Sequence, residues 1–192
     1  MTDRADIAVL ILAGGDGSRI GGGKPMRLLG GRTLLDCAVD QARQWSDCVA
    51  IAARERDQVG ATGCEVLVDP PAIGGPLAGL ASADKLGREL VLSVPCDMPF
   101  LPPDLASRLG EALREHGAAL ASSGGRVHPV CGLWRAARLG ELADYLASGR
   151  RSVIGFAERV GYAAVEWDEG AFVNINTPAD LAKAEARIAS ER

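Results

Sequence analysis

Short apolar runs rich in Val, Ile and Leu alternate along this chain with longer segments of helical periodicity, and this alternation limits the folds it can adopt. Seven runs are expected to form strands, at residues 7–12, 48–53, 65–68, 90–94, 118–122, 128–134 and 163–166. Five segments are expected to form helices, at residues 34–44, 77–86, 103–116, 137–147 and 178–190. Apolar strands that alternate with helices are typical of a parallel sheet covered on both faces. We therefore predict an α/β fold with a mostly parallel sheet and helices on both faces.

Length and charge narrow the class of protein further. The 192 residues, of which 47% are hydrophobic and 24% charged, fit a single globular domain over 1–192. The apolar stretch at residues 7–13 is far shorter than the ~20 residues that span a bilayer, so neither a signal peptide nor a membrane helix is expected. With 21 basic against 25 acidic residues, a net charge of -4, we expect no nucleic-acid and no membrane partner. An anionic ligand must therefore be held by a local site.

The cysteines indicate a reducing compartment. There are five of them, an odd number with no CxxC pair, so neither a disulfide framework nor a zinc site is suggested. Cys96 and Cys131 are expected to be small core residues. A cytoplasmic protein is the simplest interpretation.

A glycine-rich loop follows the first predicted strand. Residues 12–25 contain six glycines together with Arg19 and Lys24. Glycine lets the backbone approach a ligand closely, successive N–H groups converge on phosphate oxygens, and the two cations neutralise charge. A flexible connector is the alternative. A P-loop is excluded because Pro25 follows Lys24, and a dinucleotide fingerprint fails because Ile20 occupies the third glycine position. The loop is predicted to clamp phosphates in another way.

Two aspartates occupy matching positions at the ends of predicted strands. Asp69 closes the strand 65–68, and Asp97 follows the strand 90–94. Ligands bind at the carboxyl ends of parallel strands, and Mg²⁺ prefers one or two carboxylates completed by phosphates and water. Asp97 is the favoured direct Mg²⁺ ligand. The alternative is that both aspartates only stabilise the turns that follow them.

Three later features suit a second ligand or a structural role. Residues 74–80 form a tight turn into a helix that would admit a second anionic or planar ligand. Asn174 and Asn176 alternate in strand fashion, so their amides should face one side and suit an uncharged, hydrogen-bonding substrate. His128 is more often a structural hydrogen-bond partner than a base in such a position.

These motifs in order resemble the molybdenum cofactor guanylyltransferase family over nearly the whole chain. The opening motif alone would indicate only the broad nucleotidyltransferase superfamily that also activates sugar phosphates. The residues that carry the resemblance are Leu12-Ala13-Gly14-Gly15, Arg19, Lys24, Asp69, Gly75-Pro76-Leu77-Ala78-Gly79, Pro95-Cys96-Asp97-Met98-Pro99, His128-Pro129, Gly149-Arg150-Arg151 and Asn174-Ile175-Asn176-Thr177-Pro178.

The resemblance implies a single-domain Rossmann-like nucleotidyltransferase fold that transfers GMP from GTP to molybdenum-molybdopterin with release of pyrophosphate, and Mg²⁺ as cofactor. It implies a GTP-binding half at about 1–100 and a molybdopterin-binding half at about 101–192. The implied GTP-binding residues are Leu12, Ala13, Gly14, Gly15, Lys24, Asp69 and Asp97, with Asp97 also binding the metal. The implied molybdopterin-binding residues are Gly75, Pro76, Leu77, Gly79, Asn174 and Asn176. The residues expected to take part in catalysis are Arg19, Lys24 and Asp97.

The chain departs from the family pattern in two places, and other functions stay open. The loop before Lys24 is one residue shorter than the common form, and Ala53 stands where an asparagine is common. Aspartates are typical of the related cytidylyltransferase where this chain has Asn174 and Asn176, which favours guanine. The alternatives are cytidylyl transfer to molybdopterin, nucleotidyl transfer to a sugar phosphate, and a non-catalytic molybdenum-cofactor carrier. Transient contact with molybdoenzymes or other cofactor-synthesis proteins is also expected of the family.

Overall fold

Seven strands form one central sheet in the computed structural model, which describes residues 4–14 and 24–190. The strands are β1 (Ile7–Leu12), β2 (Leu28–Leu29), β3 (Arg32–Thr33), β4 (Cys48–Ala53), β5 (Glu65–Val68), β6 (Leu90–Pro95), β7 (Ala118–Ser123), β8 (Arg126–Arg135) and β9 (Tyr162–Trp167). The order across the central sheet is β5-β4-β1-β6-β8-β7-β9. The strands β2 and β3 form a separate two-stranded hairpin, which was not predicted.

The sheet is parallel except for β8, which confirms the predicted α/β class. β1 pairs in parallel with β4 and β6, β4 with β5, and β7 with β9. β8 lies between β6 and β7 and is antiparallel to both. The carboxyl ends of the other six strands therefore meet at one edge of the sheet, which we call the carboxyl edge. This is the edge where ligands bind in open α/β sheets.

The helices cover both faces, and they differ from the sequence prediction in four places. The segment 77–86 forms the short helix α2 followed by a 3₁₀ helix, 137–147 divides into α4 and α5, 103–116 shortens to α3, and α6 was not predicted. Gly155 lies inside α6, where a Cβ would come within 2.6 Å of the Tyr145 hydroxyl. The helices are α1 (Leu34–Trp45), α2 (Pro76–Leu80), α3 (Leu105–Leu113), α4 (Ala136–Leu139), α5 (Leu142–Ala147), α6 (Val153–Val160) and α7 (Pro178–Ser190).

Alternate residues of β1 face two separate layers of the core. Val9 and Ile11 pack with residues of α1 and α3, whereas Ala8 and Leu10 pack with residues of α2, α5 and α6. Both faces of this strand are buried because side chains alternate along a strand and helices lie on each side. β1 is therefore fixed from both faces and from both neighbouring strands. Among the described residues, no helix is long and apolar enough to cross a membrane.

A buried hydrogen-bond chain joins β6 to the antiparallel strand β8. The Trp134 indole N–H donates to the Ser93 hydroxyl at 3.0 Å, and that hydroxyl donates to the carbonyl of Gly132 at 3.2 Å. Ser93 and Trp134 are both fully buried. The serine therefore satisfies the one polar group of a large core side chain.

We predict that Ser93→Ala lowers the free energy of unfolding by about 1–3 kcal/mol, because it leaves the buried Trp134 N–H without an acceptor. Denaturant unfolding followed by tryptophan fluorescence measures the change. Ser107→Ala, which removes an exposed hydroxyl bonded to the Asp104 carbonyl at 2.9 Å, is the control and should change stability by less than about 0.5 kcal/mol. Equal stability of the Ser93→Ala variant and the unaltered chain would contradict the prediction.

Candidate functional site

A pocket of about 240 Å³ opens at the carboxyl edge, at the end of β1. The strand order reverses at β1, since β4 lies on one side and β6 on the other. Such a switch point leaves a crevice between the loops that follow the neighbouring strands. The pocket is lined by Leu12, Ala13, Gly14, Pro25, Ala52, Asp69, Gly75, Pro76, Gly79, Pro95, Cys96, Asp97, Val130 and Asn174.

The end of β1 lies directly against the carboxylate of Asp69. The Asp69 amide donates to the carbonyl of Ala53, the last residue of β4, at 2.8 Å, and this bond fixes Asp69 beside the end of β4. A Cβ added to Gly14 would collide with Asp69 Oδ2. Gly14 is therefore required for the close approach of the two loops, whatever further role it has.

The carboxylate of Asp69 is poorly satisfied. Its Oδ1 is buried and makes no hydrogen bond to the described parts of the chain. Burial raises the pKa of Asp69 above its ordinary value, and the positive charge of Arg54 opposes this effect. A carboxylate in this state gains stability from a ligand that brings N–H or O–H donors.

Asp97 lies on the other side of β1, at the end of β6. The Cys96 amide donates to the Leu12 carbonyl at 3.2 Å, so the chain following β6 stays beside β1, and the Asp97 carbonyl accepts from the Ile175 amide at 2.9 Å. Asp97 is half-buried and lines the pocket. Asp69 and Asp97 thus enter one pocket from the two sides of β1.

A divalent cation at Asp97 would depend on its ligand for most of its coordination. Within residues 4–14 and 24–190, no group of three or more His, Cys, Asp or Glu side chains could hold a metal. A lone carboxylate at a strand end fits Mg²⁺, which takes one or two protein carboxylates and completes its octahedron with phosphates and water. The donor set does not fit a structural zinc centre.

The turn before α2 is placed at the pocket, although not all of its predicted residues are. Gly75 and Pro76 line the pocket, and Gly75 has a φ of 72° that favours glycine. Gly79 also lines it, but a Cβ there would come within 2.7 Å of Leu12 Cδ2, so this glycine is needed for packing. Leu77 is fully buried in the core and does not reach the pocket. Its predicted contact with a ligand is not supported by its position.

The two asparagines are separated by the structure. Asn174 lines the pocket, whereas Asn176 is not among the lining residues, and the backbone N–H of Asn176 donates to Asp180 Oδ2 at 3.1 Å. The alternation predicted for this segment is present in its burial, because Ile175 is buried between two exposed asparagines, but the segment forms no strand.

Three predicted residues are described only in part or not at all. Gly15 and Arg19 lie outside the described residues. The backbone of Lys24 begins a short 3₁₀ helix, Lys24–Met26, whose Pro25 lines the pocket. The predicted roles of these three residues in phosphate binding stay predictions.

Several residues that line the pocket were missed by the sequence analysis. Three of them lie close to the carboxyl ends of predicted strands, namely Ala52, Pro95 and Cys96. Because ligands bind at the carboxyl ends of parallel strands, these residues could have been predicted to line the pocket. Cys96 is buried as predicted but also lines the pocket, and Cys131 is fully buried with its thiol pKa raised by burial. Val130 enters the pocket through an irregularity in β8, for which Pro129 was the available signal, because proline inside a strand run marks a bulge.

Comparison with known proteins defines first the class of enzyme and then the family. The family model named MobA-like NTP transferase domain matches residues 9–160, which include the pocket apart from Asn174. The chain is therefore a nucleotidyltransferase in its fold and its sequence signature. The chain belongs to the MobA-like NTP transferase domain family.

Named relatives agree with this assignment, and solved structures share the fold. A protein named molybdenum cofactor guanylyltransferase from Cereibacter sphaeroides is 43% identical over 185 residues, covering 93% of this chain and 95% of the relative. The crystal structure of a molybdopterin-guanine dinucleotide biosynthesis protein A from Archaeoglobus fulgidus has a TM-score of 0.77 at 24% identity, covering 96% of this chain and 100% of that one. A Mycobacterium tuberculosis protein solved as a manganese complex shares the fold, with a TM-score of 0.67 at 17% identity, covering 95% and 99%.

We predict that Asp69→Asn stabilises the chain without ligand at neutral pH, and that the gain shrinks as the pH falls. The pKa of Asp69 is raised by folding, so the protonated carboxyl favours the folded state. The stability that protonated Asp69 contributes is fully present below its pKa in the unfolded chain, about 3.9. It is lost as the pH rises through the higher pKa of the folded chain. Denaturant unfolding of both proteins at pH 4 and pH 7 measures the difference.

Asp57→Asn, at an exposed aspartate of the 3₁₀ helix Arg56–Val59, is the matched control. The difference in stability between Asp69→Asn and the unaltered chain should differ between the two pH values if the prediction holds. An equal difference at pH 4 and pH 7 would show that burial does not destabilise the charged form of Asp69.

Proposed function

We propose that this chain transfers GMP from GTP to molybdenum-molybdopterin, forming molybdopterin guanine dinucleotide and releasing pyrophosphate. The observation that carries the proposal is the entry of Asp69 and Asp97 into one pocket from the two sides of β1. Family membership and the names of relatives that cover more than nine-tenths of the chain support it. The reaction is expected to take place in the cytoplasm, in keeping with five free cysteines.

GTP is assigned to the side of the pocket formed by β1, β4 and Asp69. The backbone of Leu12, Ala13 and Gly14 offers close approach there, and Asp69 offers an unsatisfied acceptor for base N–H or ribose hydroxyl donors. Small side chains such as Ala13 and Ala52 leave room for a planar group. Gly15, Arg19 and Lys24 are proposed to bind the phosphates through backbone N–H groups and positive charge.

The acceptor is assigned to the side formed by the turn before α2 and the segment around Asn174. Gly75 and Pro76 expose backbone at the pocket, and Asn174 offers both amide donors and an acceptor for an uncharged ring. Asn176 does not line the pocket, and its backbone N–H donates to the Asp180 carboxylate at the start of α7. Of the proposed acceptor residues, Asn174 is therefore the better supported asparagine.

Transfer needs no enzyme nucleophile. An oxygen of the acceptor's terminal phosphate attacks the α-phosphorus of GTP, a new P–O bond forms, and the bond from the α-phosphorus to the bridging oxygen breaks with departure of pyrophosphate. A phosphate monoester is already anionic near neutral pH, so the chain supplies positioning and charge neutralisation in place of a strong base. Asp97 would hold Mg²⁺, which neutralises charge on phosphate oxygens when bound. Arg19 and Lys24 would hold the departing pyrophosphate.

Nucleotide selectivity is the first test. GTP with Mg²⁺ should raise the thermal midpoint by several degrees, because a ligand at ~100 times its Kd adds ~2.7 kcal/mol of stability. CTP, ATP and a UDP-sugar under the same conditions are the comparisons. A preference for CTP or a sugar nucleotide would favour the related transferases, and no shift with any nucleotide would favour a carrier that binds only the pterin.

Asp97→Asn is the second test. It should reduce pyrophosphate release by at least about a hundredfold, because it removes charge stabilisation worth several kcal/mol. The midpoint without ligand should change little, since Asp97 is only half-buried. Asp84→Asn, at an exposed residue of the 3₁₀ helix Ala83–Leu86 before the other end of β6, is the matched control. Turnover by Asp97→Asn equal to that of the control would exclude Asp97 as the metal ligand.

A further inference from the structure

The rings of His128 and Phe172 stack at the carboxyl edge, on the acceptor side of the pocket. Their centroids are 4.8 Å apart and their planes are inclined by 24°. His128 belongs to β8 and Phe172 to the segment after β9, so the contact joins two parts of the chain that are distant in sequence. Phe172 is buried, and its other side meets Trp167 edge-on at 5.5 Å.

Each ring lies two residues before a residue that lines the pocket. Val130 follows His128, and Asn174 follows Phe172. In β8, His128 pairs with Ala121 and the next paired residue is Gly132, so residues 129–131 have no partner in either neighbouring strand of the described sheet. The regular register is interrupted there, so the contacts at the two ends of this stretch help to set its path.

The segment that carries Asn174 is also held at its ends. It forms no helix or strand between β9 and α7, and Val173 and Asn174 are exposed. On one side of them Phe172 is buried in the core, and on the other Ile175 is buried and donates its amide to the Asp97 carbonyl at 2.9 Å. Movement of Phe172 would therefore displace Asn174 and strain the contact with Asp97.

We propose that His128 is a positioning residue, whose ring holds Phe172 and thereby fixes Val130 and Asn174 as the acceptor wall of the pocket. What this wall binds rests on the proposed function. The positioning itself does not, since it follows from the stacking and from the two irregular segments that begin beside it.

The surroundings of His128 keep its ring in place for this role. Nε2 lies 2.8 Å from the Ser123 hydroxyl, which fixes the ring's rotation. Burial and the nearby Arg126 lower the pKa of His128, while Glu166 on β9 opposes them. Glu166 is itself occupied by the Ser122 hydroxyl and by the Gly125 amide at 3.1 Å. The ring is therefore neutral at neutral pH and brings no charge against Phe172.

Hydrogen exchange tests the positioning in the protein without ligand. His128→Ala and His128→Asn remove the flat ring, and His128→Phe keeps it while removing the bond to Ser123. Exchange of the Ile175 amide should become about two- to tenfold faster in the Ala and Asn variants, the range expected for loss of one aromatic pair, and stay near the unaltered value in the Phe variant. His116→Ala, at the other and exposed histidine of the chain, is the control.

Kinetics then test what the wall does. The KM for the molybdopterin acceptor should rise several-fold in His128→Asn with the KM for GTP unchanged, and His128→Phe should restore it. Unchanged exchange in both the Asn and Ala variants, or exchange in the Phe variant as fast as in Asn, would overturn the proposal. Should Ala fail to fold, the comparison of Phe with Asn decides.

Failure of the proposed function would give a different result. If the unaltered chain released no pyrophosphate from GTP, the exchange measurements would still decide whether His128 positions the segment. Equal increases in both KM values with slow exchange retained would contradict the positioning of the acceptor wall and leave GMP transfer intact.

Discussion

The site depends on one steric constraint, the approach of two loops at the end of β1. Gly14 and the carboxylate of Asp69 lie so close that no side chain fits between them. The strand before Gly14 is held by β4 and β6 on its edges and by helices on both faces. This rigid support lets Asp69 keep one buried carboxylate oxygen that has no hydrogen-bond partner among the described residues. The unfavourable environment of Asp69 is tolerated because the rest of the sheet cannot relax around it.

The sheet could be predicted from the sequence because its signal is local. Runs such as Ile7–Leu12 and Cys48–Ala53 are buried on both faces, and their bounds agree with the prediction. The helix α6 was missed because it has only eight residues, and its interior glycine and β-branched residues lower the helix propensity of the segment. Gly155 is explained only by the Tyr145 hydroxyl above it, a tertiary contact that no short sequence pattern reveals.

The positions of Asp69 and Asp97 at the pocket were easier to predict than those of Val130 and Asn174. Asp69 and Asp97 follow regular parallel strands, and a strand end predicts where a side chain will lie. Val130 and Asn174 lie on irregular segments whose position comes from packing between distant parts of the chain. Leu77 is a similar case. The family resemblance predicted that it contacts a ligand, but in α2 its side chain is buried in the core.

The antiparallel strand β8 changes how the carboxyl edge is built beside β6. Elsewhere that edge is reached by loops that lead into helices, but β7 and β8 are joined there by the two-residue turn Gly124-Gly125, both with positive φ. Gly124 and Gly125 are exposed, so residues inserted at this turn would disturb the bond from the Gly125 amide to Glu166 but leave the spacing of β1, β4 and β6 unaltered. The fold thus joins a pocket wall built on parallel strands to one bounded by a hairpin, and a change in the length of that hairpin leaves the strands that precede Asp69 and Asp97 in place.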